Sequence, residues 1–132
     1  MKKGLIVCFI LFIGVLTACG NDYWVLEKSR INELSDIQNY VNQLQNDKSE
    51  YKGYKVFTIS EGKKAVVISS GEEGKELELA EVHTSSKDTA ITVKEGKEDA
   101  DEKNPYIVVG IDEIVGAFFV YDQNGELLDG SE

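Results

Sequence analysis

The sequence predicts an α+β fold, mainly antiparallel β, in which one N-terminal amphipathic helix precedes a meander or sandwich of about six to eight short strands. Three observations support this class: an apolar stripe with helical spacing, a change to strand-like runs after residue 50, and turn-forming residues between those runs. We expect the 132 residues to divide into a cleaved leader (1–18), a lipidated end with a short tether (19–22) and one globular domain (23–132).

The helix is predicted from five apolar residues that recur every three or four positions. They are Ile31, Leu34, Ile37, Val41 and Leu44. This spacing places them on one face of a helix that runs to about Gln45, with Ser35 or Asp36 as its N-cap residue. We interpret the helix as the cover of one face of a sheet.

The strands are predicted from six runs that are apolar or that alternate between apolar and polar residues. These runs are 54–60, 65–69, 75–82, 88–94, 106–111 and 117–121. Val66-Val67-Ile68 and Ile107-Val108-Val109 are apolar at every position, so we expect central strands that are covered on both faces. The pair Asn124-Gly125 predicts a tight turn near the C-terminus.

Two adjacent aromatic residues, Phe118 and Phe119, stand in the last of these runs. Because neighbours on a regular strand point to opposite faces, the two rings cannot both point inward. One of them lies under a helix or loop, lies at a bulge, or is exposed as a candidate contact surface. The sequence leaves these alternatives open.

The N-terminal segment has the layout of an export signal. Met1-Lys2-Lys3 is cationic, residues 4–15 are apolar, and Leu16-Thr17-Ala18-Cys19 follows. The apolar run is shorter than the about 20 residues that a membrane-spanning helix needs. The last four residues resemble the lipobox of bacterial lipoproteins, in which the cysteine receives a diacylglycerol and becomes the new N-terminus. The resemblance implies a lipid on Cys19, with optional N-acylation, and a location on the extracytoplasmic face of the cell membrane.

The charge balance restricts the partners of the chain. Cleavage of the leader would remove Lys2 and Lys3 from the 14 basic residues, which leaves 12 against 24 acidic residues and a formal charge of −12. Such a surface repels both nucleic-acid phosphates and anionic headgroups, so we expect no nucleic-acid partner and a membrane attachment through acyl chains. Cys8 would leave with the leader, so an acylated Cys19 leaves no thiol for a disulfide, a nucleophile or a metal site.

The acidic residues support one catalytic alternative, a cell-wall-directed hydrolase that uses a pair of carboxylates. The candidates in predicted turns are Glu72, Glu73, Asp99, Asp101, Glu102, Asp112 and Glu113. A catalytic acid needs an apolar pocket that raises its pKa, and we expect these turns to be wet. His83 is the only histidine, and its position beside a polar turn favours a structural position over a catalytic one. We assign no catalytic residue.

Segments 98–104 and 122–126 support a second alternative, a cation-binding structural lipoprotein. Both carry carboxylate or amide oxygens at alternate positions, as calcium loops do, but neither has the spacing of an EF-hand. The tight turn predicted at Asn124-Gly125 accounts for the second segment without a metal. We assign no metal ligand and no cofactor.

The second half of the chain contains four pieces with a characteristic strand pattern, at 66–71, 77–82, 88–95 and 104–111. The fourth piece begins with Asn104-Pro105-Tyr106. Together they resemble the C-terminal domain of the protease-complex subunit PrcB, a family of bacterial surface lipoproteins and secreted proteins. The resemblance implies a β-rich, non-catalytic partner of an extracytoplasmic protein, with proteases among the candidates. The whole chain also resembles small uncharacterised lipoproteins of Gram-positive rods such as bacilli.

The predicted function is a non-catalytic binding or regulatory module for another cell-surface or secreted protein, carried on a membrane-anchored extracytoplasmic lipoprotein. This hypothesis depends on the lipid anchor, on the lack of a nucleophile with its base, and on a sheet whose edges can accept a partner strand. The hydrolase and the cation-binding lipoprotein remain the alternatives.

Overall fold

The computed structural model describes residues 23–59 and 62–131. In chain order they form β1 (Tyr23–Val25), a 3₁₀ helix (Lys28–Glu33), α1 (Ser35–Gln45), β2 (Lys52–Thr58), β3 (Lys64–Ser70), β4 (Lys75–Thr84), β5 (Asp88–Asp99), β6 (Tyr106–Ile111), β7 (Ala117–Tyr121) and β8 (Asp129–Ser131). The predicted α+β class is confirmed, and each of the six predicted runs overlaps one strand. The predicted leader, the tether and the lipid-attachment residue Cys19 lie outside the described residues.

The strands of the described residues form two sheets. One has five strands in the order β1-β6-β3-β2-β8, and the other has three in the order β4-β5-β7. Neighbouring strands are antiparallel except for the pairs β2/β8 and β5/β7, which are parallel. The mainly antiparallel fold is thus confirmed, whereas these parallel pairings and the short strands β1 and β8 were not predicted.

One hydrophobic core lies between the helices and the five-stranded sheet. Its buried residues are Ile31, Ile37, Tyr40, Val41, Leu44, Ala65, Val67, Tyr106 and Val108. Four of them come from α1, which confirms that the predicted apolar stripe covers one face of a sheet. Tyr40 adds an edge-to-face contact with Phe57 of β2, at 5.6 Å between ring centroids.

The prediction of the helix N-cap was wrong. The N-cap residue of α1 is Leu34, which makes no side-chain capping hydrogen bond, and Ser35 is the first helical residue. The reason is that a 3₁₀ helix containing Ile31 leads directly into α1, and the Leu34 N–H bonds to the carbonyl of Ile31 at 2.9 Å. The apolar side chain of Leu34 packs against the core, so core packing decides the residue at this position.

A second hydrophobic core lies between the two sheets. Its buried residues are Val66, Ile68, Ile91, Val93, Ile107, Val109, Val120 and Leu128. In β3 and β6 the alternate residues point to the helical layer and to the three-stranded sheet. The five-stranded sheet is therefore covered on both faces, as its two fully apolar triplets predicted.

Asn104 ties the loops at one end of the layers together. Its buried side chain donates from Nδ2 to the carbonyls of Lys48 and Tyr51, both at 3.0 Å, and accepts the N–H of Gly71 at 2.7 Å. The Gln45 side chain also bonds to the backbone N–H and carbonyl of Asn104, at 2.9 and 2.8 Å. The Asn104 amide therefore has a structural role, and its oxygen is engaged by the backbone.

Candidate interaction surface

The outer face of the three-stranded sheet, turned away from the five-stranded sheet, is the candidate functional site. On β7, Phe118 packs in the inter-sheet core and meets Tyr54 edge to face, with 5.3 Å between ring centroids. Phe119 points the other way, because neighbours on a strand alternate. The open question about the two phenylalanines is thereby resolved: Phe118 lies inside and Phe119 lies half-buried on the outer face.

An apolar cluster surrounds Phe119. Its ring stacks with that of Tyr121, at 6.2 Å between centroids and an interplanar angle of 29°. Tyr121 forms an antiparallel bridge with Leu127, whose surface is 58% exposed. Bridge partners share a face of the sheet, so Leu127 extends the cluster. We call Phe119, Tyr121 and Leu127 the outer patch.

Polar and charged residues continue the outer face towards β4. In the sheet register, Tyr121 lies opposite Thr92, and Thr92 lies opposite Glu81. One row away, Phe119 lies opposite Ala90, and Ala90 lies opposite His83. Glu81 and His83 are exposed. The single histidine is thus part of an open surface, and within residues 23–59 and 62–131 no group of three or more His, Cys, Asp or Glu residues is placed to hold a metal.

A tight turn after β7 positions Leu127. The Asp122 carboxylate accepts the N–H groups of Asn124 and Glu126, at 2.9 and 3.0 Å, and Gly125 adopts φ +82°. The predicted turn at Asn124-Gly125 therefore forms, since glycine tolerates this left-handed conformation. The chain then returns along β7, where Leu128 points into the core and Leu127 points outward.

The other Asp122 oxygen forms an ion pair with Lys52 of β2, at 2.8 Å. Burial raises the pKa of Asp122, but hydrogen bonds from Lys52 and the backbone N–H groups of Glu126 and Asn124 outweigh it and hold the pKa below its usual 3.8. The hydrogen bond to Asp122 in turn raises the pKa of Lys52 above 10.5. Both groups are charged at neutral pH, and the pair links the turn to the five-stranded sheet.

A small cleft opens beside this ion pair, at one end of the inter-sheet core. Its volume is about 120 Å³, and its walls include Lys52, Leu77, Val93, Asp122 and Leu128. Pockets that hold a small organic ligand usually measure about 300–1,000 Å³. The cleft therefore lies below this range and has room for only a few waters.

Three of the carboxylates considered for hydrolysis or cation binding lie close to lysines. Asp99 binds Lys75 at 2.7 Å, Glu102 binds Lys28 at 3.1 Å, and Asp112 lies 3.8 Å from Lys63. The hydrogen bond from Lys75 lowers the pKa of Asp99, which is opposite to what a catalytic acid requires. One side-chain oxygen in each candidate cation-binding segment, Asn104 Oδ1 and Asp122 Oδ1, accepts a backbone N–H group of the protein.

The free edges of the two sheets differ in their protection. In the described chain β4 pairs only with β5, but it carries exposed Glu76 and Glu78 and two breaks in register. Charges and bulges of this kind discourage the addition of another strand. At the edge of the larger sheet, β1 exposes Tyr23 and Val25, at 41% and 48% of their surface. The edge of β1 is therefore the less protected one.

Sequence reasoning identified one of Phe118 and Phe119 as a candidate contact, without deciding which, and missed Leu127. A signal was available in the Leu127-Leu128 pair directly after the Asn-Gly turn, because a chain leaving such a turn returns along the previous strand. What the sequence could not supply is which of the two leucines points outward.

A comparison with known proteins identifies a relative from Bacillus. Over 128 residues the chain is 45% identical to a protein of Bacillus subtilis (strain 168) described as Uncharacterized protein YycS, and the match covers 94% of this chain and 92% of that protein. No family model and no solved structure matches the chain. In the described residues no helix has both the length and the apolar character needed to cross a membrane.

Proposed function

The chain belongs to the family of the Bacillus subtilis protein YycS, and on that premise we propose that it is a lipid-anchored lipoprotein on the extracytoplasmic face of the cell membrane. Its function in this proposal is to bind another cell-surface or secreted protein without catalysis. The anchor is a diacylglycerol on Cys19, supported by the lipobox-like Leu16-Thr17-Ala18-Cys19. The docking site is the outer patch.

The outer patch is the observation that carries the binding proposal. Phe119 and Tyr121 stack on a face that no described helix or strand covers, and Leu127 extends the patch with most of its surface open. Aromatic side chains bring large contact area with few rotatable bonds, and they are enriched at the centres of protein interfaces. The patch supports a protein contact through the face of the sheet, whereas the charged edge of β4 does not favour strand addition.

The surroundings of the patch indicate the chemistry of the partner. Glu81 lies on the same face across Thr92 and is exposed. A partner segment that combines an apolar side chain with a lysine or arginine fits this arrangement. The cation can form an ion pair with Glu81 and stack on the faces of Phe119 and Tyr121. We therefore infer a basic, partly apolar segment as the ligand.

The ion pairs of the acidic residues support a role without catalysis. Asp99 and Asp112, two of the carboxylates considered for the hydrolase alternative, each lie within 4 Å of a lysine ammonium. The resemblance to PrcB would narrow the partner to an extracytoplasmic protease. We keep this as the finer form of the proposal, and the identity of the captured partner tests it.

Site-specific photo-crosslinking in the native membrane tests the proposal. A photoreactive residue at Leu127 of the full-length chain should give an adduct of one mass, whereas the same residue at exposed Asn42 on α1 should not. Tyr121→Ser should weaken the captured partner's binding to the purified protein by about tenfold or more, the effect of removing an interface anchor. Raising the salt concentration should weaken it further.

Two results would contradict this docking site. One is an adduct that forms equally at positions 42 and 127, and the other is a Leu127 adduct that Tyr121→Ser leaves unchanged. The anchor is tested separately by the mass of the N-terminal peptide, which should carry the lipid on Cys19. Hydrolysis of wall polymer that is lost in Asp99→Ala or Asp112→Ala would instead favour the enzyme alternative.

A further inference from the structure

The edge strand β1 has an unusual surface for its position. Tyr23 and Val25 leave 41% and 48% of their surfaces exposed, and both point to the side where the three-stranded sheet lies. They stand in line with buried Val109 and Ile111 of β6, but the smaller sheet does not extend over them. The margin of the sheet therefore presents apolar and aromatic surface to the surroundings.

Trp24 lies between these two residues, and its side chain packs on the other face of the sheet. It lies opposite Gly110, and a Cβ at that position would collide with the indole ring, so glycine permits the close approach. The Lys63 ammonium lies 5.7 Å from the centroid of the indole ring. Leu26 continues the attachment by donating its N–H to the carbonyl of Val108 at 2.9 Å. The strand is thus held in register while its outer edge stays open.

This edge stands next to the proposed anchor. Only Gly20, Asn21 and Asp22 separate Cys19 from Tyr23, and the three together reach about 10 Å even when fully extended. Tyrosine and tryptophan are enriched at the level of lipid headgroups, where an apolar ring with a polar group suits the boundary. A lysine beside them can extend its ammonium to the phosphates while its stem stays apolar.

We propose that the β1 edge, through Tyr23, Trp24, Val25 and Lys63, is a lipid-contacting surface that lies against the headgroups and orients the protein on the membrane. This inference rests on the proposed lipid anchor. In the five-stranded sheet β8 is four strands away from β1, which at about 4.8 Å per strand places it about 19 Å from the β1 edge. Leu127 is two residues from the start of β8, so the outer patch lies at a distance from the β1 edge and stays open to a partner.

Trp24 is the only tryptophan of the chain, so its fluorescence reports the position of the β1 edge relative to the headgroups. The full-length lipidated protein is reconstituted in phosphatidylcholine vesicles that carry a nitroxide on the headgroup, and quenching of Trp24 fluorescence is measured. A second form carries about ten Gly and Ser residues inserted after Asp22, which lengthens the tether by about 16–19 Å of root-mean-square reach. In this spaced form the anchor alone no longer holds Trp24 at the headgroups.

If the edge binds lipid, quenching persists in the spaced form. In the spaced form, the double variant Tyr23→Ser, Val25→Ser should then lower the ratio of lipid-bound to lipid-free edge by about tenfold. The two substitutions remove apolar contact area equal to roughly half of one buried tyrosine and half of one buried valine. Leu127→Ser is the matched control, since it removes an exposed apolar side chain far from β1, and it should leave quenching unchanged.

Quenching that disappears with the spacer alone would overturn the inference, as would equal quenching in the double variant and its parent. The proposed anchor is judged by a different readout, the mass of the purified protein. A lipidated protein whose quenching depends only on tether length refutes the lipid-contacting edge and leaves the anchor intact. An unmodified Cys19 refutes the anchor, and the inference fails with it.

Discussion

The inner and outer faces of the three-stranded sheet are made from alternate residues of the same strands, yet they have different roles. The inner face contributes Ile91, Val93 and Val120 to a sealed core, and all three are almost completely buried. The outer face places Phe119 beside Tyr121 with no layer above them in the described chain. The difference shows that the apolar character of a residue does not determine its role, because the position of the next layer decides whether it stabilises the fold or remains available to a partner.

The largest expected contrast is between two neighbours on β5. Ile91→Ala removes a fully buried side chain and should lower the free energy of unfolding by about 3 kcal/mol, from lost burial and a cavity between the sheets. Thr92→Ala, on the outer face one residue later, should change it by less than about 1 kcal/mol. Urea denaturation of both variants measures the contrast, and similar losses would mean that the outer face is also packed.

The next largest effect is expected at the loop junction. Asn104→Ala removes three side-chain hydrogen bonds from the loop junction and leaves the Gly71 N–H without its acceptor, at a cost of about 2–3 kcal/mol. Asn42→Ala, at an exposed position on α1, is the matched control and should be near neutral. A thermal melt in which the two variants coincide would show that Asn104 does not hold the layers together.

A pH-dependent effect of intermediate size is expected from the Asp122–Lys52 pair. Because the pKa of Asp122 is lowered on folding, its stabilising contribution is present above pH 3.8 and is lost as the pH falls through the folded value. Because the pKa of Lys52 is raised, its contribution is present below pH 10.5 and is lost above the folded value. The difference in melting temperature between the natural chain and Asp122→Asn should therefore be largest in the neutral range and shrink below pH 3.8.

Asp99→Asn is the control for this titration. Asp99 also has a lowered pKa, but its side chain is 84% exposed, so solvent screens its ion pair with Lys75. We expect almost no pH-dependent difference in melting temperature for this variant. A difference as large as that of Asp122→Asn would mean that general surface charge, and not the turn, is responsible.

The smallest expected effect on stability is at the outer patch. Leu127→Ser should change the free energy of unfolding by about 0.5 kcal/mol or less, because most of the side chain is already in solvent. Leu128→Ser, which places a hydroxyl in the core one residue later, should cost several times more. Calorimetry of this pair tests the division into faces directly. Equal losses would show that Leu127 is a packing residue.

Local periodicity was sufficient for much of the fold. The spacing of Ile37, Val41 and Leu44 predicted α1 and the face it buries, and the six alternating or apolar runs predicted six strands. The reason is that the period of an amphipathic element is a property of neighbouring residues. The short strands were not predicted because three residues are too few to show a periodic pattern. The N-cap residue Leu34 was not predicted because core packing overrides the local preference for a capping side chain.

The sequence by itself determined the acidic charge, the α+β class and the opposite directions of Phe118 and Phe119, and it predicts an export leader. Only the tertiary structure decided which of those two rings is covered, that Leu127 joins Tyr121, and that the candidate catalytic and cation-binding carboxylates Asp99, Glu102 and Asp112 meet lysines instead. These features depend on contacts between residues far apart in the chain, for example Lys28 and Glu102 at 3.1 Å. Local patterns specify elements, whereas the stacking of layers specifies which of their faces meets solvent.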